Sequence, residues 1–250
     1  MSTEDHERFF DSVEYIRRYY GGVSDENRGL LEFFHEVYAC PEISGAMLEL
    51  GGGPTLYQLI SASGAVRSMV FSDYLPDNRA AVNHWLDGAS DAHSWRAFVE
   101  YVLMLENAPV DAQRVAEREA HLRERIEAVI PCDIRRDDPL SDTDHRGDTF
   151  DVVSMLFVLE AVDCSKEACF AYLRNVDRLV KPGGHLVIGT IIGTSAYTVA
   201  GNSLHTAFVS VVDVLVWLQR LNYRVRLDRK IASDGGGDYA SLSCIWATKD

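Results

Sequence analysis

The chain has 250 residues, 47% of them hydrophobic and 25% charged, an ordinary balance for a globular protein and enough to bury one large α/β core. Its formal charge of -14 argues against a nucleic-acid partner, because affinity for phosphate backbones depends on Lys and Arg neutralising them. No basic segment with a following apolar stretch opens the sequence, and no apolar run approaches about 18 residues, so no membrane association is expected.

The first forty residues read as two helices. Phe9, Phe10, Val13, Ile16 and Tyr20 recur at three-to-four spacing and predict one apolar face. A break at Gly21-Gly22 follows, and Ser24 is the expected N-cap of a second helix with Asp25 and Glu26 in its first turn. Leu30, Leu31, Phe34, Val37 and Tyr38 form that helix's buried side.

From Ala46 onward strands and helices alternate. Strands are predicted at Ala46–Leu50, Ser68–Ser72, Ala128–Cys132, Phe150–Leu156, His185–Ile192, Tyr223–Ile231 and Ser241–Thr248. Helices are predicted at Thr55–Ala62, Asp77–Asp87, Ser94–Leu105, Ala112–Glu127, Lys166–Val180 and Val209–Leu221. This alternation implies a mainly parallel sheet covered on both faces. The short link Asp234-Gly235-Gly236-Gly237-Asp238 joins the last two strands, and so short a link reaches only an antiparallel neighbour. The expected fold is therefore α/β, a seven-stranded Rossmann-like sheet of the class I methyltransferase type with an antiparallel last strand. It forms a single domain over residues 1–250, with a helical cap over 1–45 and the core over 46–250.

Chemistry is expected beyond the carboxyl ends of the strands, where strand order reverses. The first apolar run ends in Gly51-Gly52-Gly53-Pro54, and Ser72-Asp73-Tyr74 follows about twenty residues later. Bare backbone lets a ligand lie against N–H groups, and Asp73 can accept hydrogen bonds from a ribose diol, with Asn78 close behind. Pro54 removes an N–H donor and the third glycine of the dinucleotide fingerprint is missing. The loop thus suits an adenosyl ligand without a pyrophosphate, S-adenosylmethionine (SAM). After the third strand, Asp133 could accept from an adenine amine while Ile134 packs on the ring. Leu156-Phe157 ends the fourth strand where methyl donor and acceptor should meet. Each element has a structural alternative: Asp73 could be only a helix cap, and Asp133 could pair with Arg135 or Arg136.

Gly51 to Leu59, Ser72-Asp73-Tyr74 with Asn78, Cys132-Asp133-Ile134 and Leu179-Val180-Lys181-Pro182-Gly183-Gly184 resemble the family of nicotinamide N-methyltransferase, phenylethanolamine N-methyltransferase and thioether S-methyltransferase. Glu14-Tyr15-Ile16-Arg17-Arg18-Tyr19-Tyr20 looks like that family's Tyr-rich opening helix. The resemblance implies that Tyr15 and Tyr20 hydrogen-bond the methionine carboxylate from a lid. It implies Gly51, Gly52, Gly53, Thr55 and Tyr57 around the methionine portion, Asp73 and Asn78 on the ribose, and Tyr74, Asp133, Ile134 and Leu156 around the adenosine. Read from spacing alone, the tyrosines could equally be core.

In the acceptor region the resemblance is looser. Thr190 stands where nicotinamide-type enzymes carry an acid, and no acid lies within Gly189–Tyr197. Tyr19, Phe157, Thr190, Thr194, Tyr197 and His205 are the substrate-side candidates; Glu160 and His205 are the candidate acid and base. The expected activity is SAM-dependent methylation of a nitrogen in a small-molecule amine or heteroaromatic acceptor, releasing S-adenosylhomocysteine (SAH). S-methylation of a thioether or thiol, an NAD-dependent oxidoreductase and a non-catalytic SAM-binding protein are the alternatives. The eight histidines include no H-x-x-x-H or Cys/His cluster, so no metal is expected. The five cysteines form no C-x-x-C pair, and reduced thiols in a cytoplasmic monomer or weak homodimer are expected.

Overall fold

Alternation with period two orients the first strand, β1 (Ala46–Leu50): Leu48 and Leu50 enter the core on one face, and Met47 enters the core on the other. Glu49 shares the face of Met47 and is fully buried. The computed structural model describes residues 7–234 and 239–250. Its main sheet has seven strands: β1, β2 (Ser68–Asp73), β3 (Ile126–Pro131), β4 (Phe150–Leu156), β5 (Val180–Ile192), and, after a separate hairpin of β6 (Ala196–Val199) and β7 (Asn202–His205), β8 (Tyr223–Ala232) and β9 (Ser241–Lys249). Their order is β3-β2-β1-β4-β5-β9-β8. Strands β1 to β5 pair in parallel, and β9 runs antiparallel to both neighbours, β5 and β8. The reversed strand is thus inserted between β5 and β8. Residues 235–238 of the glycine-rich link lie outside the described residues.

Helices cover both faces. On the Met47 face lie α1 (Ser12–Tyr20), α2 (Asp25–Tyr38), α3 (Pro76–Leu86), α4 (Arg96–Leu105) and α5 (Ala112–Arg125). On the Leu48 face lie α6 (Leu159–Val162), α7 (Lys166–Asp177) and α8 (Val211–Arg220). Ser24 caps α2 as expected: its hydroxyl accepts from Asn27 N, and the Asn27 side chain accepts from Ser24 N, each at 3.2 Å.

Three expectations are corrected. Val13 is 78% exposed, because Asp11 restarts the helix by accepting from Val13 N and Glu14 N and resets the buried face to Ser12, Ile16 and Tyr20. The helix expected over Thr55–Ala62 is two 3₁₀ turns, Tyr57–Leu59 and Ala62–Gly64. There the Thr55 hydroxyl and the Gln58 amide bond the Gly52 carbonyl, and Gln58 also bonds the Thr55 carbonyl, so side chains take up helix-type acceptors. The helix expected to reach Glu127 ends at Arg125, and Ile126 already pairs with Met69 as the start of β3.

Candidate active site

The chain climbs outward from β1 to β2 to β3, then returns to place β4 on the other side of β1. That reversal opens a crevice beyond the carboxyl ends of β1 and β4. Gly51 leaves β1 with φ +68, and a Cβ there would stand 2.6 Å from Cγ2 of Val158, just past β4. A Cβ on Gly52 would stand 2.4 Å from the Phe71 ring, whereas Gly53, at φ +63, faces open space. Two glycines therefore allow close packing and the third leaves room for a ligand. The crevice, with its open mouth included, holds about 940 Å³ of empty space.

Asp73, at the end of β2, is buried. One carboxylate oxygen accepts from Gly53 N at 2.8 Å; the other accepts from Leu75 N at 2.8 Å and Asn78 Nδ2 at 3.0 Å. A carboxylate has about four acceptor positions, so one remains. Burial pushes this carboxyl above its ordinary value despite those three bonds. Asn78 is itself held by the first helix, its side-chain oxygen accepting from Ser12 Oγ at 2.7 Å.

Tyr15, Tyr20 and Tyr57 form an aromatic wall: Tyr20 stacks on Tyr57 at 4.8 Å between centroids, and Tyr15 lies 5.7 Å from Tyr20. Burial raises all three phenols well above their ordinary value, so they stay neutral hydroxyls able to donate to an anion. Elsewhere in the crevice wall, the Tyr74 hydroxyl donates to the Glu7 carboxylate and its ring receives Arg135 at 5.0 Å. Arg135 also holds Asp133 through two 2.7 Å bonds. Burial pushes Asp133 up, but this pairing outweighs it and keeps the carboxyl below its ordinary range. Asp133 is thus an ion-pair partner, one of the two roles the sequence left open, while its side chain still lines the crevice beside Ile134.

Thirteen positions were expected on the cofactor side, and all of them, Tyr15, Tyr20, Gly51, Gly52, Gly53, Thr55, Tyr57, Asp73, Tyr74, Asn78, Asp133, Ile134 and Leu156, line this one crevice. The substrate-side candidates divide. Tyr19, Phe157 and Tyr197 line a second chamber, about 490 Å³ with its opening to solvent included, which shares Tyr15, Tyr20, Phe157 and Tyr197 with the crevice. Phe157 adopts φ +60, unusual for an aromatic residue, where β4 ends between the two spaces. Thr190, Thr194, His205 and Glu160 line neither space. Thr190 is buried within β5, and the Thr194 hydroxyl closes a local turn onto Ala196 O at 2.6 Å. His205 is exposed on β7, paired in register with Ala196. Glu160 is fully buried; one oxygen accepts from Ile191 N at 2.6 Å, the other has no partner among the described residues, and burial pushes its pKa to about 7.

Several lining residues escaped sequence reasoning. Glu49 lines the crevice from inside β1, and Glu26 and Tyr239 line the chamber. Glu49 carried a signal, an acid inside an otherwise apolar strand. Glu26 read as a first-turn acid favouring a helix dipole, and nothing in the sequence ties it to Tyr239, 213 positions away. No three His, Cys, Asp or Glu among the described residues could together hold a metal ion, and none of the described helices is long and apolar enough to cross a membrane.

A parallel sheet with one inserted antiparallel strand, and a glycine-floored crevice at its switch point, define a class I SAM-dependent methyltransferase. Among solved structures, the glycopeptide N-methyltransferase MtfA complexed with SAH shares this fold at a TM-score of 0.57 and 13% identity, covering 92% of this chain and 91% of its own. The chain belongs to the NNMT/PNMT/TEMT family, whose profile matches residues 1–249. Phenylethanolamine N-methyltransferase of Macaca mulatta is 30% identical over 220 residues, 86% of this chain and 77% of its own. Indolethylamine N-methyltransferase of Mus musculus is 30% identical over 194 residues, 75% of this chain and 72% of its own.

Proposed function

We propose that this enzyme methylates a nitrogen of a small-molecule amine, with the acceptor in the tyrosine-walled chamber and SAM in the glycine-floored crevice. The observation that carries this reading is the shared wall of Tyr15, Tyr20, Phe157 and Tyr197, across which two small ligands could meet. The names of the two relatives, enzymes of phenylethanolamine and indolethylamine, support a small amine acceptor.

Bound SAM supplies a methyl group on a positively charged sulfur. The tyrosine hydroxyls donate to the methionine carboxylate, the free acceptor position of Asp73 takes a ribose hydroxyl, and Ile134 and Tyr74 enclose the adenine. The Ser12–Asn78 bond ties the first helix to this arrangement. The protein's chief contribution is alignment of the amine lone pair with the methyl carbon, which can lower a barrier by roughly 7–11 kcal/mol. Neither Glu160 nor His205 is needed as a base in this account. None of the five cysteines is held in a disulfide, which suits a reducing, cytoplasmic setting.

The test is a methyl-transfer assay, following SAH release by mass spectrometry, with indolethylamine, phenylethanolamine and a dialkyl thioether as acceptors. Turnover of an amine supports the reading; turnover of the thioether alone replaces it with S-methylation.

A further inference from the structure

Among the described residues, the chamber behind the tyrosines has a single charged side chain in its wall, Glu26 in the first turn of α2. Glu26 is only 8% exposed. Its carboxylate accepts from the Tyr239 hydroxyl at 2.6 Å, and no Lys, Arg or His among the described residues pairs with it. A charge of the same sign stands beside it, Asp234, which accepts from Glu26 N at 2.8 Å. Burial pushes the Glu26 carboxyl above its ordinary value, and the Tyr239 bond offsets this in part. A buried acid without a counter-ion is costly unless a cation comes to it. Tyr239 uses one of about four acceptor positions, so the carboxylate can bind a further donor.

The surroundings suit a cation. Tyr15, Tyr19, Tyr20 and Tyr197 also line the chamber, and aromatic rings attract ammonium groups. Tyr19, Glu26 and Tyr239 also border an outer groove that carries Arg17, Arg18 and Asp234. The acid therefore stands at the boundary between the chamber and this outer groove.

We propose that Glu26 anchors the amino group of the acceptor and makes the chamber selective for small basic amines over neutral molecules of the same shape. The proposal rests on the amine reading above and adds the residue that enforces it. Glu26 is a binding residue in this account.

The experiment measures binding to the full chain saturated with SAH, by calorimetry, using indolethylamine, phenylethanolamine and the neutral alcohol of each skeleton in which hydroxyl replaces the amino group. Glu26→Gln keeps size and an oxygen for Tyr239 but removes the charge. It is expected to weaken amine binding about ten- to a hundredfold, while the alcohols and SAH itself change less than about threefold. Glu26→Asp, which retains the charge, should recover part of the lost affinity. SAH binding reports that each variant is folded. Equal losses for amine and alcohol, or an unchanged amine affinity in Glu26→Gln, overturn the proposal while leaving N-methylation intact. A wild-type protein that binds SAH and the alcohols but no amine overturns the amine reading and this proposal together.

Discussion

Ser12 on the first helix donates to the side-chain oxygen of Asn78 at 2.7 Å, and Asn78 donates in turn to Asp73 at 3.0 Å. The first helix is thereby tied through Asn78 to the acid that ends β2. Ser12→Ala should cost about 0.5–1.5 kcal/mol of SAH binding, a few-fold to about tenfold in Kd. The thermal midpoint should fall as well, because the buried Asn78 oxygen loses this donor whether or not SAH is bound. Calorimetry beside a melting curve measures both; an unchanged Kd removes the lid from cofactor binding.

Gly51 and Gly53 share a left-handed backbone but differ in surroundings. Alanine at either position meets backbone strain of about 1–2 kcal/mol. At Gly51 the Cβ also meets Val158 at 2.6 Å, while at Gly53 it meets nothing within 4 Å. Gly51→Ala should therefore lose about 1–3 kcal/mol more stability than Gly53→Ala, by overpacking. Gly53→Ala should instead weaken SAH binding, because its Cβ enters the ligand space. Urea titrations and SAH calorimetry on both variants check the contrast.

Glu49 gives a pH signature. Burial, with Gln58 offsetting part of it and the Asp73 carboxyl adding to it, pushes its pKa from the ordinary 4.5 to about 8. Between those values the folded protein holds a proton that the unfolded chain has released. Stability accordingly falls as pH rises through that window, by up to about 1.4 kcal/mol per pH unit from this group. Glu160, pushed to about 7, acts in the same direction at lower amplitude. Glu49→Gln should flatten the curve and be more stable than wild type at pH 9. Denaturant midpoints measured from pH 5 to 9 test this; parallel curves for the two proteins contradict it.

The sheet and the crevice were legible because they depend on local patterns. Alternating strands, a glycine turn and an acid at the next strand end all sit within short windows, and β1 and β4 have the predicted bounds. The hairpin Ala196–His205 was not foreseen, since its strands have only four residues each, too few for a period-two pattern to stand out. Its position explains why Thr194 and His205 stand away from the cavities: the chain turns out of the sheet after Gly193, at φ +85, and both residues serve the hairpin. The chamber was least legible. Its acid belongs to α2 and its tyrosine to the approach to β9, and only the folded sheet brings them within 2.6 Å.

The central claim is that the crevice between β1 and β4 binds an adenosyl sulfonium through Asp73. The direct measurement is calorimetric titration of wild-type and Asp73→Ala protein with SAH and with NAD. The account predicts one SAH site per chain in the wild type, a loss of about 1–3 kcal/mol in Asp73→Ala, and no heat with NAD. Equal SAH affinity in both proteins, or saturable binding of NAD in place of SAH, would contradict it.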